Sequence, residues 1–538
     1  MTGARPNVLL IMTDEERYPP PYEVEALAAF RRRELPARQR LRERSRELHR
    51  HYVGSTACVP SRATLFTGQY PSLHGVDNTD GLAKSARDPG MTWLAPGSVP
   101  TLGDWFRAGG YQTHYRGKWH ISHADLFDPE TRHRIATNDA TGAVDAAAVA
   151  RYREADPLAS FGFSGWIGRE PHGADPADCG VVKDGLYAEQ VTELFAQLVA
   201  ARDAGPWLAV ASFVNPHDIA FSGAAWELFG YPPPDDAVPD IAPAPSQSDP
   251  FTGRPTAQRE FFETWPKILY DQATDNAYRR LYHHLHRLVD QAVVRILDAL
   301  EASGMADDTI LLFTSDHGDL VGAHGGLVQK WHNAYDEAIR VPFLVSGPGI
   351  DENADDVDVA TSHVDVLPTL LGLAGIDTQA AAAELTGTHR ECRPLPGRDL
   401  SPLLAGRVGE HTLDAPIYFM TEDEITRGSR TVGLISREPF SPVAEPARIE
   451  SVIARLPTGV DGSRELWKLN RSFARLHGDD GGNGDVPDDQ WEAHNLTTDP
   501  EERHNVADVA DREVARLREL LDSERDRKRL VPEAARRP

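Results

Sequence analysis

Two acidic positions in this sequence stand directly after apolar runs. Asp14 follows Val8 to Met12, and Asp316 and His317 follow Thr309 to Thr314 within Thr314-Ser315-Asp316-His317-Gly318-Asp319. If both runs are buried strands of one sheet, these side chains project from strand ends into one crevice, where open α/β sheets place their ligands. Two carboxylates and an imidazole form a hard, oxygen-dominated cradle suited to Ca2+, Mg2+ or Mn2+, with the imidazole tilting it toward Mn2+. Between these positions the chain carries Cys58-Val59-Pro60-Ser61-Arg62, then Lys118 and His120 in Gly117-Lys118-Trp119-His120. His217 follows in Asn215-Pro216-His217-Asp218 after another apolar run, and Lys330 in Gln329-Lys330-Trp331. Cations, imidazoles and a metal cradle are the equipment for cleaving an ester of an anionic group. Taken singly, a strand-end Asp reads as a helix cap and a lone His or Lys as a solvated surface group. Five such segments in order, from residue 14 to residue 330, make that reading a poor one.

On these residues the sequence resembles the formylglycine-dependent (type I) sulfatases of the alkaline-phosphatase-like superfamily, whose maturation signal Cys-x-Pro-x-Arg reads here Cys58-Val59-Pro60-Ser61-Arg62. The resemblance implies that a formylglycine-generating enzyme oxidises Cys58 and that the hydrated aldehyde is the nucleophile. It implies one divalent cation held by Asp14, Glu15, Asp316, His317 and the modified Cys58, with Ca2+ favoured over Mn2+ or Mg2+. Glu15 stands where many relatives have a second aspartate. Gln69 and Phe66 depart from the extended signature, where a basic residue and Leu are usual, without touching its core. By the same resemblance Lys118 orients the hydrate together with Arg62, and Asp316 acts as base for the attacking hydroxyl. His120 takes the hydroxyl proton as the covalent sulfate hemiacetal collapses, while His217 and Lys330 bind the sulfate and protonate or stabilise the leaving oxygen. Trp491 to Asn495, Asp499-Pro500 and Asn505 resemble the family's closing segment, which extends the likeness over nearly the whole chain. The implied activity is metal-dependent hydrolysis of a small aryl or alkyl sulfate monoester. The rivals are a phosphonate monoester or phosphodiester hydrolase of the same superfamily, against which the Lys-x-His pattern at Lys118 and His120 speaks, and a non-catalytic anion-binding scaffold should Cys58 stay unmodified.

The elements that must position these groups follow from the pattern of apolar runs. Short runs at Val8 to Met12, Trp207 to Phe213, Thr309 to Thr314 and Val341 to Val345 alternate with helical patterns, as in a mostly parallel or mixed central sheet flanked by helices. Leu281, Leu285, Leu288, Ala292, Ile296 and Leu300 recur at helical spacing, and Thr101 and Asp104 form a capping box. Eight prolines between Pro232 and Pro255 forbid regular structure there, so that stretch reads as an irregular excursion or lid. It shares the expected substrate contacts with the 125 to 180 insertion and the C-terminal region. Beyond about residue 410 the pattern changes to Ile417 to Met420, Thr431 to Ser436, Ser451 to Leu456 and Glu465 to Leu469, a small antiparallel sheet, with a Gly- and Asp-rich loop at 478 to 489 and a charged helix near Glu513 to Lys528. The expected organisation is an alkaline-phosphatase-like α/β domain over 1 to 410 and an α+β subdomain over 411 to 538.

Composition limits the partners. In 538 residues, 82 acidic against 56 basic side chains give a net charge of −26, which disfavours nucleic acid and anionic membranes and opposes long polysulfated chains. No run reaches membrane-spanning length, and the apolar run from Asn7 to Met12 is too short for a signal-peptide core. Three cysteines, Cys58, Cys179 and Cys392, make no disulfide framework, so a cytoplasmic location is expected, with Cys179 and Cys392 as structural thiols. His283, His284 and His286 are expected at surface or packing positions, and His324 or His332 could line the pocket. The charged C-terminal helix could pair with a copy of itself in a homo-oligomer.

Overall fold

The structure, a computed structural model, describes residues 5–171, 175–201, 205–459, 463–474 and 487–533. Six strands form the central sheet: Asn7–Asp14 (β1), Arg46–Glu47 (β2), Gln112–Gly117 (β3), Trp207–Pro216 (β4), Thr309–Ser315 (β5) and Phe343–Ser346 (β6), in the order β2-β6-β5-β1-β4-β3. From β3 through β4 and β1 to β5 the pairing is parallel, while β6 and β2 run antiparallel at one edge. The sheet is therefore mixed. Its central strands carry unbroken apolar runs because both faces are covered. Along β1, Val8, Leu10 and Met12 face one core with Leu65, Phe66 and Leu312, whereas Leu9 and Ile11 face the other with Phe195, Val293 and Phe313.

Helices supply the two covers. The second core receives Gly180–Ala200 (α3) and Asn276–Ala302 (α4), the latter started by Asp275, whose side chain accepts the Tyr278 N–H at 3.0 Å. Against the first core lie Cys58–Thr67 (α1), whose ten residues are all buried, and Leu102–Ala108 (α2), with both bonds of its Thr101/Asp104 capping box formed. His283, His284 and His286 are buried in α4.

The C-terminal region builds a second sheet, entirely antiparallel, from Ile417–Thr421 (β7), Arg448–Leu456 (β8), Glu465–Phe473 (β9) and Gln490–Asn495 (β10). Helix Asp511–Lys528 (α5) covers it through Val514, Leu517 and Leu521. Here one sequence expectation fails. Thr431 to Ser436 is no strand, apart from a single bridge between Val432 and Pro439; Gly433 and Arg437 close it into a turn, the Gly433 N–H reaching the Glu438 carbonyl. Gln490–Asn495 takes the fourth place in the sheet. Residues 232 to 255 hold no regular structure, as their prolines require. Residues 478 to 486 of the Gly- and Asp-rich stretch lie outside the described residues. Among the described residues no single helix is long and apolar enough to cross a membrane.

Candidate active site

All four parallel strands deliver a site residue from the same end. Asp14 closes β1, Gly117 leads from β3 into Lys118, Pro216 leads from β4 into His217, and Asp316 follows β5. This is the carboxyl edge of the sheet, where strand ends leave an open crevice. The turn after β3 depends on glycine. Gly117 has φ of +103°, a Cβ there would lie 1.8 Å from the Ser212 carbonyl oxygen, and the next N–H, that of Lys118, bonds the same oxygen at 2.9 Å.

Helix α1 brings Cys58 and Arg62 up to these strand ends. The Arg62 guanidinium has no exposed surface; its Nη2 donates to Asp14 Oδ2 at 2.9 Å, its Nε to Asp316 Oδ2 at 2.8 Å, and its Nη1 to the Lys118 carbonyl and the Ser212 hydroxyl. Lys118 Nζ adds a 2.6 Å contact to Asp14 Oδ2. The two Oδ1 atoms lie 3.8 Å (Asp14) and 3.7 Å (Asp316) from His317 Nε2, and Asp316 Oδ1 also accepts the backbone N–H groups of Glu15 at 3.1 Å and His317 at 3.0 Å. His317 Nδ1 bonds the Gly318 carbonyl at 2.9 Å, which fixes the tautomer and leaves the Nε2 lone pair pointing into the group, 3.0 Å from Cys58 Sγ.

Charge within this cluster follows its contacts. Burial raises the Asp14 carboxyl, but Lys118 and Arg62 overturn that and hold it well below the ordinary range. Asp316 is pushed up to about 7 by burial and by Asp14. Burial, then Lys330, depresses His317, keeping it a neutral ligand. Burial, then Asp14, raises the Cys58 thiol, so the unmodified sulfur is protonated.

One ligand atom from each of Asp14, Cys58, Asp316 and His317 lies within 4.8 Å of the others, and all four residues are buried. Two carboxylate oxygens, one imidazole lone pair and one atom of residue 58 fit a divalent cation. Glu15 lies to the side of this set. Its Oε2 accepts Lys330 Nζ at 3.1 Å, and it forms a separate grouping with Asp14 and His217.

The cluster opens onto a cavity of about 670 Å³ whose lining includes Cys58, His120, His217 and Lys330. Lys330 Nζ also bonds Gln329 Oε1 and lies over the Trp331 ring, 4.6 Å from its centroid. Sequence reasoning missed the groups that hold His120. Asp80 Oδ1 sits 2.8 Å from its Nε2, and Glu170 Oε1 accepts its backbone N–H at 2.8 Å. Three expectations are corrected here. Arg62 acts on the two carboxylates, because each of its three guanidinium nitrogens is bonded to a protein oxygen. His324 and His332 stay outside the lining, buried against Glu337 at 3.1 Å and Glu424 at 3.6 Å respectively. The proline-rich stretch is likewise absent from the lining, which draws on 120–134, 169–170 and 425–435.

Comparison with known proteins decides the family, since the family model described as Sulfatase matches residues 6–376. The chain belongs to the sulfatase family. The enzyme is 28% identical over 389 residues to a choline-sulfatase of Rhizobium meliloti, covering 70% of this chain and 69% of that one. A crystal structure of a putative sulfatase from Bacteroides thetaiotaomicron shares the fold with a TM-score of 0.62 at 20% identity, over 99% of this chain and 94% of that one. The phosphonate monoester hydrolase of Silicibacter pomeroyi superposes with a TM-score of 0.60 at 19% identity, over 99% and 97%. The enzyme thus shares its fold with both of these structures.

Proposed function

We propose that this enzyme hydrolyses sulfate monoesters with an aryl or alkyl leaving group, using residue 58 in its formylglycine form and a divalent cation, Ca2+ by similarity, held by Asp14, Asp316, His317 and residue 58. The observation that carries this reading is the position of residue 58, between the convergent ligand atoms of Asp14, Asp316 and His317 behind it and a cavity that presents His120, His217 and Lys330 in front. When bound, the cation neutralises charge on the sulfate oxygens and on the oxygen of residue 58. A formylglycine hydrate supplies two hydroxyls, one to attack sulfur and one to expel sulfate by C–O cleavage.

The chain's own groups divide the remaining work. Lys330 stays an ammonium: burial works against its charge, and the neighbouring acids, Glu15 and then Asp14, favour it. Burial, then Lys118, depresses His217 well below its usual value, so the imidazole is neutral and binds through a ring N–H. Lys330 is therefore the group able to give a proton to the leaving oxygen, and His217 the one that steadies the sulfate. His120, braced by Asp80 and Glu170, is the proton acceptor when sulfate departs. Trp93, Phe127, Phe221, Trp265 and Trp331 line the cavity, which suits an aryl or alkyl group. Cys58, Cys179 and Cys392 are all unpaired, which supports a reducing, cytoplasmic setting in which a formylglycine-generating enzyme acts on Cys58.

Two measurements test this. Intact mass of protein co-produced with a formylglycine-generating enzyme should show sulfur exchanged for oxygen with loss of two hydrogens at residue 58. Cys58→Ser, able to attack but lacking the second hydroxyl, should accumulate a stable sulfate ester on an aryl sulfate. Unmodified Cys58 with full activity, or rapid multiple turnover by C58S, overturns the reading. A kcat/KM for phenyl phosphonate esters above that for aryl sulfates would move the assignment to the phosphonate hydrolases.

A further inference from the structure

Resting on that reading, we propose that the substrate's leaving group carries an oxyanion of its own, a carboxylate or a second sulfate, which Arg87 and Arg132 hold at the cavity mouth. The first argument is a local reversal of sign. The whole chain has a net charge of −26, yet among charged residues lining the cavity six are Arg or Lys and three are Asp or Glu. The three acids are engaged: Asp80 with His120 and Asp125 with Arg134, while Glu170 is pushed up to about 8 by burial and Asp125. Arg134 and Arg169 also meet Asp178, and Lys330 meets Glu15. Arg87 and Arg132, both exposed, have no carboxylate partner among the described residues, and Arg430 bonds only the Gly81 and Leu82 carbonyls. Although the chain has 82 acids, three guanidinium groups around this one opening have no carboxylate partner among the described residues.

The second argument is the path that leads to them. From the His120 ring at the floor, Trp93 lies 6.1 Å away, His123 is 6.3 Å from Trp93, Phe127 is 5.6 Å from His123, and the Arg87 guanidinium stacks 4.0 Å over Phe127. These rings form a continuous wall against which a flat leaving group can lie, with the sulfate at the floor and the far end at Arg87. Held on the Phe127 face, that guanidinium is oriented before a ligand arrives, which favours a planar or trigonal oxyanion over a neutral polar group.

The test uses the mature enzyme and biphenyl-4-yl sulfates of equal size bearing a 4'-carboxylate, 4'-sulfonate or 4'-carboxamide. At low ionic strength kcat/KM for at least one anionic substrate should exceed that for the carboxamide by about tenfold, the effect of one charge-assisted contact. The margin should shrink as salt rises to about 0.5 M, where screening acts within a few ångströms. R87Q/R132Q should bring the substrates to within about twofold through a higher KM for the anionic ones, with Tm unchanged because both side chains are exposed. Whichever of carboxylate and sulfonate is faster identifies the oxyanion. A carboxamide turned over as fast as both anions, or a margin that survives R87Q/R132Q, overturns the inference. If neither these esters nor 4-nitrophenyl sulfate is hydrolysed, the sulfatase reading itself has failed, an outcome distinct from turnover without anion preference.

Discussion

The Arg62 guanidinium directs its donors into Asp14, Asp316, Ser212 and the Lys118 carbonyl, and so decides which carboxylate oxygens remain for a metal. Fully buried ions survive in a fold only when paired in good geometry, and this fork meets two acids at once. Glu170 is the opposite case, a buried acid that accepts the His120 N–H with no cation bonded to it among the described residues, and it is pushed up to about 8, first by burial and then by Asp125. Between the ordinary 4.5 and that value, the native state holds a proton that the unfolded chain has released, so native stability falls as pH rises through this window. Glu170→Gln has no such proton to lose. Relative to wild type it should gain up to about 1.4 kcal/mol of unfolding free energy per pH unit from pH 5 to 8. Urea denaturation at three pH values in that range measures the gain, and a difference that stays constant would show Glu170 ionised throughout.

At the scale of elements, the exit from β3 carries a sharp constraint. Gly117→Ala drives a Cβ into the Ser212 carbonyl at a φ that side chains rarely adopt, in the turn that presents both Lys118 and His120. The expected loss is about 3 kcal/mol or more, together with a fall in kcat at temperatures where the variant is still folded. Unchanged kcat in the folded variant would mean that the turn relaxes without moving the two side chains. The placement of Asp14, His217 and Asp316 was readable in the sequence, because β1, β4 and β5 are apolar on both faces and each of these residues stands at or just beyond the end of its strand. The capping box of α2 was equally local. What could not be read is long-range pairing. Asp80 and Glu170 reach His120 from irregular segments 40 and 50 residues away, with no periodicity to mark them. Thr431 to Ser436 has strand composition but no partner beyond the single Val432–Pro439 bridge, while the more polar Gln490–Asn495 pairs with β9 through six registered residues. Arg62 was legible as part of a motif, yet its direction toward the acids depends on where β1 and β5 end.

For the molecule as a whole, the cradle assembles parts that the chain holds 302 residues apart, Asp14 and Asp316, and only the native fold can make it. A cation bound there has no counterpart in the unfolded chain, so it should stabilise the mature enzyme by about 2.7 kcal/mol at a hundredfold excess over its Kd. Thermal unfolding after EDTA treatment and then with added Ca2+, Mg2+ or Mn2+ should show Tm lowest in EDTA and raised most by the preferred ion. Asp316→Asn should remove that increment. Glu15→Gln separates the two acid groupings, since Glu15 is bonded to Lys330 and stands outside the set formed by Asp14, residue 58, Asp316 and His317. With the cation in that set, E15Q keeps the ion-dependent rise in Tm. Loss of the rise in E15Q together with its survival in D316N would place the cation with Glu15 and His217 instead.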